Sequence, residues 1–249
     1  MMPSPHSQPR RRPVHGAMIG VIVLDTGFDR LPGDVANAET WDFPVQFRVV
    51  RGVRPKDVIE GDPEQALGPF REAIDDLVGI GAAGITTSCG FLAAVHPELR
   101  RYSPVPIATS SLMQIPLALS LLPEDRTVGV IVSDRKALQD RHFRNVGAPT
   151  GLPLGELPED GVIRSHMRDN RPLADHAAQE HEVLAVVQRM LAATPAIGAI
   201  VSECANLPPH SAAIQRAFSL PVFDIVTLVD WLHSAIRPRA YGDGPRLHR

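Results

Sequence analysis

The stretch Ile85–Leu92 (ITTSCGFL) has a counterpart further along the chain in Ile200–Leu207 (IVSECANL), and these two stretches hold both cysteines of the protein. After each stretch the chain reaches a proline followed by a β-branched residue, at Pro106-Ile107 and at Pro221-Val222. The cysteines and the prolines are offset by the same 115 residues (204 − 89 and 221 − 106). This repeat predicts a duplicated fold in which each half contributes one thiol.

Outward from these stretches, apolar runs alternate with segments of helical periodicity. The runs are rich in β-branched residues, which is typical of buried parallel strands. We place strands at 18–24, 45–53, 84–88, 105–109, 127–132, 196–202 and 222–225, and a short strand or extended loop at 151–157. Apolar residues at helical spacing predict helices at 63–79, 90–101, 113–122, 136–146, 175–193, 208–218 and 226–236. The alternation predicts an α/β fold with parallel sheets.

The overall composition excludes several classes of protein. Of the 249 residues, 44% are hydrophobic and 21% are charged, and the net charge of −3 does not favour a nucleic-acid partner. The apolar stretch 17–24 is too short to cross a membrane, and no secretory signal is visible. We therefore expect a cytoplasmic protein with free thiols, no nucleic-acid or membrane partner, and a disordered tail over residues 1–16.

The predicted topology brings polar side chains together at one place. Ligands of open α/β sheets bind beyond the carboxyl ends of the strands. Asp25, Thr26, Cys89, Ser133 and Cys204 all follow predicted strand ends. The sequence holds no phosphate-binding loop with a Lys-Ser/Thr ending and no Cys/His metal cluster, so we expect neither a cofactor nor a metal.

Each cysteine precedes a predicted helix, whose N-terminus favours a thiolate. Two thiols that face each other across a cleft can remove a proton from one face of a carbon and return one to the other face. This is the chemistry of a cofactor-independent racemase acting on a small carboxylate. The backbone beside Gly90 and Ala205 is open to a ligand. Other candidate substrate-binding residues are Asp25, Thr87, Phe91, Ser110, Ser133 and Asn206.

At these positions the chain resembles the aspartate/glutamate racemase superfamily, most closely an uncharacterised Asp/Glu racemase-like branch. The matching segments extend from the first strand to the last, and they are 24–28, 32–34, 87–92, 109–112, 203–209 and 220–224. The resemblance implies an isomerase, independent of pyridoxal phosphate, with two pseudo-symmetric Rossmann-like domains and the active site in the cleft between them. It implies that Cys89 and Cys204 are the two acid/base thiols and that the chain forms a homodimer or higher homo-oligomer.

The resemblance also implies a division of the chain into domains. Because the C-terminal end is expected to return to the first domain, that domain would comprise residues 17–112 plus 222–249, and the second would comprise 113–221. Amino-acid racemases of this superfamily commonly have Cys-Asn-Thr and Cys-Thr where this chain has Cys89-Gly90-Phe91 and Cys204-Ala205. These departures count against aspartate or glutamate itself as the substrate.

Three alternatives remain open from the sequence. The same fold could racemise a hydantoin or isomerise maleate by thiol addition. A two-lobed protein of this shape could bind a small acid without any reaction. The two thiols could also form a redox switch, which requires them to lie close enough to bond.

Overall fold

The computed structural model describes residues 14–16, 19–61, 63–169 and 175–239. The predicted disordered tail lies almost wholly outside the described residues, as do residues 240–249, which we assigned to the first domain. The strands are β1 (Ile19–Leu24), β2 (Val45–Val50), β3 (Gly84–Thr87), β4 (Ile107–Ala108), β5 (Thr127–Val132), β6 (Leu154–Glu156), β7 (Ile197–Ser202) and β8 (Val222–Phe223).

The strands form two four-stranded parallel sheets in the described part of the chain, and their orders are β2-β1-β3-β4 and β6-β5-β7-β8. The second order repeats the first with each strand number raised by four, so the two halves have the same topology. The α/β class and the duplication are therefore confirmed. Strands β1 and β5, which come first along the chain in each half, are buried along nearly their whole length. This burial explains why they are continuous apolar runs.

Helices connect the strands and cover the sheets. They are α1 (Pro55–Ile59), α2 (Leu67–Ile80), α3 (His96–Tyr102), α4 (Ile115–Leu121), α5 (Asp140–Arg144), α6 (Val162–Asp169), α7 (His176–Ala193), α8 (Ser211–Phe218) and α9 (Ile225–Ile236). The segments after the two cysteines begin as 3₁₀ turns at Gly90–Val95 and Pro208–His210 before the α-helices start. Proline in the first turn of α3 and α4 fixes where these helices begin, because proline lacks the N–H that an α-helix interior needs.

Two parts of the helix prediction differ from the structure. The helix predicted at 136–146 is shortened to α5, because Asp134 accepts hydrogen bonds from the backbone N–H groups of Lys136 and Ala137 and holds a turn there. Helices α1 and α6 were not predicted at all. Both are short, with five and eight residues, and carry charged residues, so neither has a long run of apolar residues at helical spacing.

The C-terminal part of the chain serves both halves. Strand β8 pairs with β7 in the second sheet, although the predicted division assigns residues from 222 onward to the first domain. Helix α9 follows directly and packs against β3 and β4 of the first sheet. The return therefore begins at α9 and not at β8, because the Ile200–Val222 register holds β8 in the second sheet. The rest of the domain division stays a prediction.

Within the described residues, no helix has both the length and the apolar character that a membrane crossing requires.

Candidate active site

A cavity of about 790 Å³ lies where loops from both sheets meet. Its wall is formed by the segments that follow β1, β3, β5 and β7, together with residues of α1 and α6. The residues that line it include Asp25, Phe28, Arg30, Arg54, Lys56, Ser88, Cys89, Gly90, Phe91, Ser133, Asp134, Arg164, Met167, Arg168, Glu203, Cys204, Ala205 and Asn206. The equivalent strand ends of the duplicated halves therefore contribute to one site.

Cys89 is the residue that joins β3 to the following 3₁₀ turn. It has an extended backbone (φ −144°, ψ 114°), so the chain changes direction just after it. The backbone N–H groups of Phe91 and Leu92 face its sulfur and favour the thiolate, but burial opposes them. Burial, with the charge of Glu203 adding to it, raises the pKa of Cys89 to about 12.

Cys204 occupies the matching position after β7. Its sulfur lies 3.7 Å from Oδ1 of Asn206, whose backbone N–H also favours the thiolate. Burial and the charge of Glu203 raise the pKa of Cys204 above its ordinary value. Both cysteines are free thiols, and each is only 7% exposed. Without a bound ligand, both groups are therefore protonated at neutral pH.

Glu203 is a buried carboxyl group whose charge affects both thiols. It precedes Cys204 in the chain and lines the cavity, yet its exposed fraction is 1%. Neither of its carboxyl oxygens makes a well-formed hydrogen bond with the described residues. Burial raises the pKa of Glu203 to about 8, and only the backbone N–H of Ser133 opposes this shift. Because a buried carboxylate without a strong partner is costly, Glu203 is neutral at neutral pH.

Gly90 allows Glu203 to lie beside the first thiol. A Cβ atom built on Gly90 would come within 2.2 Å of the carbonyl oxygen of Glu203, and within 2.4 Å of its Oε1. Real Cβ atoms do not approach a backbone oxygen this closely. The loop after Cys89 and the residue before Cys204 are therefore in direct contact. This contact fixes the loop that carries Cys89 against the loop that carries Cys204.

Changing Gly90 to alanine should force these loops apart. Because the backbone oxygen of Glu203 cannot move as a flexible side chain would, we expect the free energy of unfolding to fall by about 1–3 kcal/mol. Urea denaturation would measure the change. Gly79→Ala in α2 is the matched control, since nothing lies within 4 Å of a Cβ there and alanine favours a helix. Equal stability of the two variants would contradict the close contact.

A chain of polar contacts extends from Cys204 to the first half of the molecule. Nδ2 of Asn206 donates to Oδ2 of Asp34 at 2.6 Å, and the other oxygen of Asp34 accepts from Arg30 at 2.7 Å. Arg30 also donates to Thr26 at 2.9 Å, and its guanidinium lies 4.4 Å from the ring centre of Phe28. These contacts hold a cation at the cavity wall, where it can bind an anionic group.

The structure brings most of the predicted site residues together. Those that line the cavity are Asp25, Cys89, Gly90, Phe91, Ser133, Cys204, Ala205 and Asn206. Thr87 and Ser110 are buried outside the cavity wall and serve the backbone instead. The hydroxyl of Thr87 donates to the carbonyl of Thr109 at 2.8 Å, and that of Ser110 accepts the N–H of Leu112 at 3.2 Å.

Three other residues have surroundings that the sequence did not indicate. Asp25 accepts the backbone N–H of Gly52 at 2.8 Å, so it braces a neighbouring loop. His96 and His210 are both buried. His96 hydrogen-bonds Thr109 at 3.0 Å. Burial, with the charge of His176 adding to it, lowers the pKa of His210 to about 4.

Sequence reasoning missed several charged residues of the site. Glu203 directly precedes Cys204 in the sequence, but it is not among the predicted site residues. Arg30 and Asp34 have the i, i+4 spacing that could have suggested an ion pair. Arg164 and Arg168 reach the cavity from α6, and no signal in the sequence pointed to them because the helix itself was not predicted.

Curated relatives are similar to nearly the whole chain. A dimethylsulfoniopropionate lyase of Durusdinium sp. clade D is 27% identical over 96% of this chain and 82% of its own length. Dimethylsulfoniopropionate lyases 5 and 3 of Emiliania huxleyi are each 28% identical, and the matches cover 87% and 92% of this chain but only 45% and 61% of theirs. No protein-family model matches the chain.

These names correct the functional prediction. The relatives are lyases, so the expectation of an isomerase is wrong. This applies to the predicted amino-acid racemase and also to the alternatives, a hydantoin racemase and a maleate isomerase. The reasoning from paired thiols pointed to proton transfer at a carbon next to a carboxylate. It could not tell whether that carbon then takes up a new proton or whether the neighbouring carbon loses a leaving group.

Solved structures with the same fold come from several enzymes. A Gly74Cys mutant of arylmalonate decarboxylase has a TM-score of 0.61 at 18% identity, and covers 91% of this chain and 97% of its own. Allantoin racemase from Klebsiella pneumoniae has a TM-score of 0.58 at 16% identity, and covers 92% and 97%. Glutamate racemase from Francisella tularensis has a TM-score of 0.55 at 14% identity, and covers 89% and 81%. The chain thus has the two-domain fold of the aspartate/glutamate racemase superfamily.

Proposed function

We propose that this protein is a lyase that removes a leaving group from the β-carbon of a small carboxylate, with dimethylsulfoniopropionate as the first substrate to test. The observation that carries this proposal is the presence of two buried thiols on the wall of one cavity. It is supported by the similarity of nearly the whole chain to dimethylsulfoniopropionate lyases. Because the chain spans only about half of some relatives, the activity of those longer proteins is not carried over in full.

The reaction needs one base. A thiolate takes the proton from the α-carbon, and the electrons of that C–H bond form the carbon–carbon double bond. The bond between the β-carbon and sulfur breaks, and its electrons leave with the sulfur. Dimethylsulfoniopropionate would give acrylate, neutral dimethyl sulfide and a proton that returns to water. Unlike racemisation, this elimination requires no second proton donor on the opposite face.

We assign the base to Cys89. Two backbone N–H groups, those of Phe91 and Leu92, favour its thiolate, whereas Cys204 has the N–H of Asn206 alone. In this assignment Cys204 stays a neutral thiol that donates to the substrate. Glu203 contacts Gly90 beside the base and lies next to Cys204, and its protonated carboxyl keeps a second anion away from the thiolate.

The charges of the cavity suit a zwitterion. Arg30 is fixed by its contact with Asp34 and can bind the carboxylate of the substrate. A sulfonium group near the thiols would stabilise a thiolate by Coulomb attraction, and would therefore lower the raised pKa of Cys89 when the substrate binds. The empty site would keep its thiols protonated and the occupied site would become reactive.

Thiols that act in this way must stay reduced. We therefore propose that the protein works in a reducing compartment such as the cytoplasm.

The test is to incubate the reduced protein with dimethylsulfoniopropionate in D₂O and to follow acrylate by proton NMR and dimethyl sulfide in the gas phase. We expect equal amounts of both products, and a greatly reduced yield of both with a Cys89→Ser variant. A panel of other propionates with a leaving group on the β-carbon would define the range of substrates. Deuterium at the α-carbon without any acrylate would contradict the lyase, since it would show proton removal without elimination.

A further inference from the structure

Three potential metal ligands meet on the second half of the molecule, away from the cavity wall. His176 is the first residue of α7, and Glu180 follows one turn later on the same helix. His210 ends the 3₁₀ turn that leads into α8. One ligand atom from each of the three residues lies within 4.8 Å of the others. The ring centres of His176 and His210 are 5.0 Å apart.

His210 provides a second, independent observation. Its side chain is 1% exposed, and its Nδ1 atom has no hydrogen-bond partner among the described residues. A buried ring nitrogen without a partner is unusual and costs free energy. A metal ion bound within the cluster would give the ring a partner.

We propose that His176, Glu180 and His210 bind a divalent transition-metal ion, with zinc as the best fit. Two imidazoles and one carboxylate are ligands that Zn²⁺ accepts in tetrahedral sites, whereas Mg²⁺ and Ca²⁺ favour sites made of oxygen alone. The i, i+4 spacing places His176 and Glu180 on the same face of α7. Water completes the coordination, because His176 is exposed and the site is open on that side.

A metal ion at this site would fix the position of the loop that follows Cys204. His210 is six residues after Cys204, and the loop between them packs on the first half of the molecule, where Pro209 lies against Gly33. A metal ion would fasten the end of this loop to the long helix α7. None of the three ligands lines the thiol cavity, so the ion takes no part in the reaction, and this inference does not depend on the proposed function.

The test is to titrate the metal-free, untagged protein with Zn²⁺ and Co²⁺. We expect one tight zinc site by calorimetry, a rise in Tm with zinc, and a Co²⁺ spectrum of nitrogen and oxygen ligands without thiolate charge-transfer bands. His176→Ala should weaken zinc binding at least ~100-fold, because even the loss of an outer-shell partner costs ~10–100-fold. His181→Ala, which removes an exposed histidine from the same helix, should bind zinc as the wild type does.

Glu180→Gln gives a second variant that keeps the shape of the side chain and leaves the buried His210 untouched. It should also weaken zinc binding while the Tm of the metal-free protein changes little. Unchanged zinc affinity in His176→Ala and Glu180→Gln would overturn the proposal. Thiolate bands in the Co²⁺ spectrum that vanish in Cys204→Ser would also overturn it, since they would place the metal at the thiols.

Discussion

Replacing Cys89 with serine should lower kcat/KM for the elimination at least ~10³-fold, because a positioned general base contributes ~10²–10⁴-fold and a serine hydroxyl is a far weaker base. Cys204→Ser should cost less, on the order of 10–100-fold, since a hydroxyl can still donate a hydrogen bond to the substrate. The measurement is the initial rate of acrylate formation for each variant. Serine is close to cysteine in volume, so neither substitution should leave a large cavity at these buried positions.

This difference between the variants separates elimination from two-base chemistry. A reaction that needs a donor on the opposite face would lose its rate equally in both variants. Equal losses would therefore contradict the assignment of Cys89 as the single base, and full activity in both would rule out thiol chemistry. Urea denaturation of each variant is the control, because a loss of activity through unfolding would appear there first.

The fold could be predicted from the sequence because its central strands, β1, β3, β5 and β7, are buried on both faces. Each central strand is a short apolar run that ends in polar residues, and the two cysteine stretches repeat at a constant offset. The identical sheet orders confirm that offset as a true duplication. Strand β8 was assigned to the wrong half because the division followed the resemblance, whereas the 115-residue offset, which matches Val222 to Ile107, indicated the second sheet.

The candidate site was predictable only in part. Strand ends predicted which loops would meet, so Cys89, Ser133, Cys204 and Asn206 were found. The contact of Gly90 with Glu203 joins residues that are more than a hundred positions apart, and a local pattern holds no trace of it. The reaction type was not predictable at all, since racemisation and elimination begin with the same removal of a proton and differ in the substrate.

Glu203→Gln should gain stability relative to the wild type as the pH rises from 4.5 to above 8, by on the order of 5 kcal/mol in total. In the folded protein the pKa of Glu203 is about 8, against an ordinary value of 4.5. The folded state therefore holds this proton more tightly than the unfolded chain does. Below pH 4.5 both states are protonated and this contribution to stability is complete. Between pH 4.5 and 8 unfolding releases the proton, so wild-type stability falls by up to about 1.4 kcal/mol per pH unit.

Glutamine does not titrate, so the variant should escape this fall. The measurement is the free energy of unfolding in urea at pH 5, 6, 7 and 8 for both proteins. Their difference should grow steadily in favour of the variant, whereas Glu124→Gln, which changes an exposed carboxyl, should follow the wild type at each pH. Other buried acids such as Asp224 are present in both proteins and cancel in the comparison. A difference that stays constant with pH would mean that Glu203 is already charged and paired in the folded protein. Its negative charge would then oppose formation of the Cys89 thiolate at neutral pH.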